Sequence, residues 1–352
     1  PFPKRAGHPL TAAYPSGLYA SYPAMYVLSG YKASSSPMCS HHAPYTCAMN
    51  GRDATTGGHP ARVSTTDQST SISEHELVTL LLDPAVYPWN PERVDHLETH
   101  ISRLFFAGDR VIKIKRPVKY GFVDHGSLAR RRQSCLDEVR LNRLLSDDIY
   151  LEALPITRTE TGLQLGGPGE PIEWAVLMRR IPEEAMLDGL LQRGERPEHL
   201  TDRLAARLIP FHQRAGDCPG DPSREAADAE RILRENLDAI GALTTSAVFP
   251  RELALIRRSV LGFLEREPEA LPRRAEAGWI REGHGDLKCE HVVLDPPGNL
   301  QIYDCVEFSI GIRCADIASD LAFLLLDLER LGAADVAPAT SVSHPGAGTP
   351  AP

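Results

Sequence analysis

The hydrophobic period of the chain changes once, and that change limits the folds open to it. Between residues 100 and 178 apolar side chains recur mainly at the two-residue spacing of strands, and from 183 to 280 mostly at helical spacing. "HISRLFFAGDRVIKIK" (100–115) gives two strand-like runs around Ala107-Gly108-Asp109, a hairpin signal. "SLARRRQSCLDEVRLNRLL" (127–145) interrupts the strands with a helix carrying Leu128, Cys135, Leu136, Val139, Leu141 and Leu145 on or near one face. Strands resume over 151–178, broken at Thr161-Gly162 and at Gly166–Pro171. The helical stretch ends at Trp279. "HVVLD" and "LQIYDCVEF" then read as two short strands flanking "PPGN" (296–299), and "ADIASDLAFLLLDLERLG" (315–332) closes as an apolar helix. A short helix also opens the region at 73–83, with the capping-box spacing Ser73-x-x-Glu76. A strand-rich half with one helix, then a mostly helical half, is an α+β protein of two lobes. A ligand belongs in the crevice between them.

Residues 1–72 and 333–352 are rich in Ser, Thr, Pro, Gly and Ala and show neither period, so both read as disordered tails. "CSHHAPYTC" (39–47) holds two Cys and two His, but its spacing fits no familiar zinc finger and a coil offers no scaffold. Three of the 47 acids and five of the 38 bases fall in the tails, so 73–332 carries 44 against 33, about −11. That balance argues against a nucleic-acid binder, whose affinity rests on Lys and Arg neutralising phosphates. It suits a cytoplasmic protein handling small molecules. Seven cysteines at irregular spacing, with no C-x-x-C, predict reduced thiols rather than a disulfide framework. No apolar run approaches the ~20 residues of a membrane span, and no membrane association is expected.

The chemistry concentrates in "HGDLKCEHVVLD" (284–295), which packs two histidines, an aspartate and a lysine ahead of an apolar strand. Alone, Asp286 or Asp304 is most simply a turn or cap residue. Standing on either side of a hairpin, however, the two carboxylates can converge on one cleft. Phosphoryl transfer from Mg·ATP uses that arrangement, one carboxylate orienting the acceptor hydroxyl and another holding the metal. In "RVIKIKRPV" the alternation puts Lys113 and Lys115 on one strand face, opposite Ile112 and Ile114. An inward lysine needs a counter-charge, and Glu138 in the following helix offers one.

Taken in order, Lys113, Glu138, "HGDLKCEH" and "YDCVEF" resemble the kinase fold as used by the aminoglycoside phosphotransferase family. The pattern H-G-D-x-x-x-x-N, I-D-x-E, D-x-x-x-D-L-A is matched by His284–His291, by Tyr303–Glu307 with one extra residue, and by Asp316 through Asp320-Leu321-Ala322. "THISRLFFAGDRVIKIKRPV", "GFVDHGSLARRRQSCLDEVRLNRLL" and "VLMRRIP" resemble a branch of uncharacterised bacterial phosphotransferase-like proteins often fused to a C-terminal P-loop ATP-binding domain. The resemblance covers about 73–332 and implies a protein-kinase-like fold, with a small strand-rich N-lobe (73–180) and a mostly helical C-lobe (181–332). It implies ATP and Mg2+ as cofactors. Asp286 would be the catalytic carboxylate, Lys288 would approach the transferred phosphate, and Asp304 would chelate magnesium. Lys113 would contact phosphates and Glu138 would pair with it, with Lys115 the alternative if the register slips by two. The backbone of Leu177-Met178-Arg179 would meet the adenine edge.

Three departures accompany the resemblance. "THISRLFFAGD" offers only Gly108 as a phosphate loop. His291 replaces the usual Asn, so it either ligates the metal or hydrogen-bonds Asp286 or a phosphate. The second is favoured, because magnesium prefers oxygen ligands. No G-x-x-x-x-G-K-[ST] occurs, and low-complexity sequence replaces the helices expected after "LERLG", so the C-lobe is expected to be truncated. His212 is expected as a satisfied core histidine and Arg130-Arg131-Arg132 as a solvated helix face. The reading is an ATP-dependent phosphotransferase acting on a hydroxyl of a small molecule. The alternative is a catalytically weak nucleotide-binding pseudokinase serving as a regulatory or interaction module.

Overall fold

Alternation in the first half builds one curled antiparallel sheet. The computed structural model describes residues 72–160, 162–216, 218, 222–243, 250–295 and 299–336. The Cys39–Cys47 stretch, Thr161, residues 296–298 and nearly all of both terminal segments lie outside the described residues. Ser73 caps α1 (Glu74–Leu81) by accepting the Glu76 amide at 3.1 Å. The Glu76 carboxylate does not return the bond but meets Arg158 at 2.6 Å. Next come β1 (Val94–Glu98), β2 (Ser102–Ala107), β3 (Arg110–Lys115), a small hairpin of β4 (Lys119–Tyr120) and β5 (Val123–Asp124), and helix α2 (Leu128–Asn142). The part ends with β6 (Tyr150–Thr159), β7 (Gly162–Leu165) and β8 (Pro171–Arg179). The six-stranded order is β1-β2-β3-β8-β6-β7, with every neighbouring pair antiparallel.

The two-residue period of β3 divides its side chains between two cores. Ile112 and Ile114 join Leu77, Leu81 and Phe105 on the α1 side. Val111 joins Cys135 and Val139 on the α2 side, and Lys113 and Lys115 point the same way. Gly108, at φ +67°, makes the tight β2–β3 turn. It therefore is not part of a phosphate loop, and the β1–β2 turn at Thr99–Ile101 contains no glycine.

The second half is mostly helical: α3 (Leu187–Gln192), α4 (Leu200–Arg214), α5 (Pro222–Leu243), α6 (Pro250–Arg266) and α7 (Ala270–Glu276). Short strands and two helices follow: β9 (Ile280–Glu282), β10 (Val292–Asp295), β11 (Asn299–Ile302), α8 (Ile310–Arg313), β12 (Cys314–Asp316) and α9 (Ile317–Arg330). Leu204 and Leu208 of α4, Leu287, Val292, Ile302, and Leu321, Leu324 and Leu328 of α9 share one core. This is the α+β, two-part organisation read from the periodicity.

Several expectations are corrected. The folded region runs past Gly332, because Ala333 and Val336 pack into the α9 core. "DCVEF" is not strand: β11 stops at Ile302 and Asp304 takes φ +63°. Cys218 and Cys314 form a disulfide, with Cα atoms 5.6 Å apart, where reduced thiols were expected. Arg131 is not solvated, since its guanidinium makes a buried pair with Glu173 at 2.8 Å. Among the described residues no helix is long and apolar enough to cross a membrane.

Candidate active site

Five charged groups form a chain on the α2 side of the sheet. Lys113 Nζ donates to Glu138 Oε1 at 2.6 Å and to Asp304 Oδ1 at 2.9 Å. Lys115 Nζ donates to Glu138 Oε2 at 2.5 Å and to the Glu307 carboxylate. Neither lysine is chosen by strand period, which puts both on one face; access separates them. The Lys113 side chain keeps 12% of its exposure and lines a cavity with Asp304, whereas that of Lys115 has 0%. Burial opposes the charge on Lys113, but Asp304 and Glu138 outweigh it and hold the ammonium firmly protonated. Burial likewise works against ionised Asp304, yet Lys113 and His291 bring its carboxyl well below the usual range. Glu138 shifts down for the same reason, its two lysines overcoming burial. At Glu307 burial wins over Lys115 and the pKa rises.

The loop carrying Asp286 is held from behind. Asp320 of α9 accepts the amides of His284 (2.7 Å) and Gly285 (2.9 Å) and faces His212 Nε2 at 3.1 Å. His212 is thus the satisfied core histidine anticipated, and Asp320 is the anchor that the D-x-x-x-D-L-A pattern marked without assigning its role. Gly285 sits at φ +81° against Arg313, and a Cβ on Gly283 would lie 2.5 Å from Asp320 Oδ2. His284 donates from Nε2 to the Tyr303 carbonyl (3.0 Å) and accepts the Asp286 amide at Nδ1 (3.2 Å). Burial pushes its pKa down to about 4, so the ring is neutral and able to do both.

Asp286 itself is 2% exposed, and neither carboxylate oxygen has a partner in hydrogen-bond geometry. Lys288 Nζ stands 3.1 Å from its Oδ2 at ion-pair distance and 2.8 Å from Glu290, a neighbour the sequence did not single out. Burial raises the Asp286 pKa above the ordinary carboxylate range, with Lys288 and His291 opposing. A buried carboxyl without a hydrogen bond in good geometry and shifted upward could accept a proton from a hydroxyl placed beside it.

His291 is brought to both carboxylates. Its Nδ1 lies 2.8 Å from the Asp286 backbone carbonyl, which can only accept, so Nδ1 carries the proton. The opposite nitrogen, Nε2, is 3.7 Å from Asp304 Oδ2. The bond to Asp286 is therefore to its backbone, not to its carboxylate. Nε2 is also 3.8 Å from Glu290 Oε1. No cluster of three or more His, Cys, Asp or Glu able to hold an ion exists among the described residues. Asp304, an ionised oxygen donor at the cavity wall, fits magnesium only if nucleotide phosphates and water complete the shell.

The cavity between the two halves measures about 240 Å³ and is lined by Ile101, Lys113, Met178, His291, Asp304 and Phe308, among others. Met178 lines the cavity from β8. Its backbone lies inside the sheet, paired with Val111 of β3 and Tyr150 of β6, and the next two amides donate to Ile149 and Asp109. The expectation that Leu177–Arg179 offers its backbone to a base is thereby corrected.

No protein-family model matches the chain. Uncharacterized proteins of Mycobacterium tuberculosis (strains H37Rv and CDC 1551) and Mycobacterium bovis are each 31% identical over 245 residues, covering 69% of this chain and 47% of theirs. The chain spans about half the length of the curated relatives it matches. Among solved structures, the GDP and kanamycin complex of APH(2")-IIia aligns over 75% of this chain and 82% of its own, at 16% identity and TM-score 0.41. A choline/ethanolamine kinase family protein from Mesorhizobium loti aligns over 76% and 74%, at 14% identity and TM-score 0.40. Spectinomycin phosphotransferase APH(9)-Ia, in complex with ADP and spectinomycin, aligns over 77% and 84%, at 11% and 0.30.

Proposed function

We propose that the chain is a phosphotransferase that moves the γ-phosphate of ATP to a hydroxyl of a small molecule, with Mg2+ as the metal. One observation carries the reading: Lys113 is held between Glu138 and Asp304 at the wall of the inter-lobe cavity. An ammonium fixed by a buried glutamate beside an ionised aspartate is what a polyphosphate and its metal require. Lys113 would bind phosphate oxygens, and Asp304, with His291 beside it, would hold the metal, which when bound neutralises charge on the transferred group. Asp286 would take the acceptor hydroxyl proton, for which its raised pKa suits it. Lys288, within ion-pair distance of Asp286, would offset negative charge on the phosphoryl oxygens. The ordered motif set found in the sequence supports a small-molecule acceptor, although a fold alone does not select one.

A second reading, a nucleotide-binding module without transfer, is favoured by one feature. The cavity of about 240 Å³ is smaller than the ~300–1,000 Å³ usual for ligand pockets. A Mg·ATP transfer screen against a panel of hydroxylated metabolites, with Asp286→Asn in parallel, separates the two. The phosphotransferase reading expects a phosphorylated acceptor that disappears in Asp286→Asn. ATP binding with no transfer to any acceptor would support the module instead, and the absence of ATP binding would remove both.

A further inference from the structure

Lys115 is a full charge with no access to the cavity. Burying an ammonium is costly unless it is well paired, and here the pairing uses two carboxylates from opposite halves of the protein. Glu138 comes from α2, and Glu307 from the segment that follows Asp304. That segment is tied down residue by residue. The Asp304 amide donates to Tyr150 Oη (3.2 Å), the Cys305 amide to Asn142 Oδ1 (2.9 Å) and the Val306 amide to the His284 carbonyl (3.0 Å). Three of the four anchors, Tyr150, Asn142 and Lys115, belong to the strand-rich half. The same anchors hold Asp304 in a left-handed backbone (φ +63°), a region less favourable to it than to glycine even though Asp enters it more readily than most residues.

We infer that Lys115 and Glu307 are positioning residues: they hold Glu138 and the Asp304 segment in place so that Lys113 is free to exchange Asp304 for a nucleotide phosphate. The inference rests on the phosphotransferase reading above. Glu138 gives one oxygen to each lysine. When Lys113 turns toward a phosphate, the Oε2 bond to Lys115 remains, and α2 is not released. Asp304 loses its lysine in the same event, yet its segment stays bonded through Glu307. Without Lys115, Lys113 would be the only lysine facing three carboxylates and would be retained among them.

Calorimetric titration with ATP, in MgCl2 and separately in EDTA, tests this on the full chain. Glu307→Gln keeps the size and an oxygen for Lys115 but replaces a charge-assisted bond by a neutral one. It is expected to weaken Mg·ATP binding about tenfold while leaving metal-free ATP binding within about twofold and the apo melting temperature nearly unchanged. A purely structural role would move the melting temperature and both titrations together. Lys115→Met is expected to weaken Mg·ATP binding further, and adding Glu307→Gln to it should cost nothing more. Should Lys115→Met not fold, the split between the two Glu307→Gln titrations decides alone. If the parent binds Mg·ATP and Glu307→Gln binds it equally well, or the two losses add, the inference fails and the phosphotransferase reading stands. If the parent binds no nucleotide, both fail.

Discussion

At the scale of single residues the two strand lysines divide the work by exposure. Lys113→Ala should weaken ATP binding by about two orders of magnitude, since it removes the lysine that lines the cavity among the described residues. Lys115→Ala should weaken ATP binding less than that, through the displaced Glu138 and Asp304 segment, and should also cost about 3–5 kcal/mol of stability, because Glu138 and Glu307 each lose a counter-charge. ATP titration and urea unfolding of both mutants check this, and a larger affinity loss in Lys115→Ala would reverse the assignment. The strand period put both lysines on one face and could not rank them, because a period of two treats residues 113 and 115 alike; only the family resemblance preferred Lys113. Asp286 carries a second expectation. A base must be ionised, so activity is lost as pH falls through its pKa, and burial has raised that pKa. The acid limb of kcat should therefore lie above the ~4 of an ordinary aspartate. A profile still flat at pH 4 would show that Asp286 is not the base.

Among elements, the join between α9 and the Asp286 loop matters most. α9 is legible from its apolar period, and its first turn holds Asp320. What the period does not reveal is that this carboxylate turns back to serve two amides 35 and 36 residues earlier and an imidazole 108 residues earlier. Strands β9 and β12 escaped for a related reason, since three residues each give no periodic signal and exist only by pairing with one another. Asp304 was placed at a strand end, and the left-handed turn that takes it off β11 has no glycine to announce it. The consequence at this scale is testable. Asp320→Ala strands three buried donors, each costing about 1–3 kcal/mol, and loosens the loop two residues from Asp286. Urea unfolding should show a loss of several kcal/mol, and kcat of the still-folded protein should drop with little change in ATP affinity. Gly283→Ala should act in the same direction, because its Cβ would crowd the same carboxylate. An Asp320→Ala protein of parental stability would mean that water replaces the carboxylate without cost.

For the molecule as a whole, the strand-then-helix order was readable because periodicity is a local property, whereas the cross-link was not. Cys218 follows α4, and Cys314 lies in β12, 96 residues later, with helices α5, α6, α7 and α8 between them. An odd cysteine count at irregular spacing gives no hint of such a pair. The bond ties the α4–α5 connection to the strand beside Arg313. The Arg313 carbonyl accepts the Gly283 amide, and its guanidinium reaches the Glu307 carbonyl at 3.1 Å, so the link braces the loop of Asp286 and the Glu307 segment together. Cys135, Cys289 and Cys305 do not compete for it. All three are buried and their thiols are pushed up, Cys135 to about 12, which keeps them from acting as thiolates. Constraining so long a loop typically contributes about 2–4 kcal/mol. Cys218→Ser, or dithiothreitol added to the parent, should therefore lower the unfolding free energy in urea by that amount, and dithiothreitol should change nothing further in the mutant. Thiol titration of the denatured, unreduced parent should find two fewer thiols than after reduction. Equal thiol counts before and after would show that the helical half is held together without the bond.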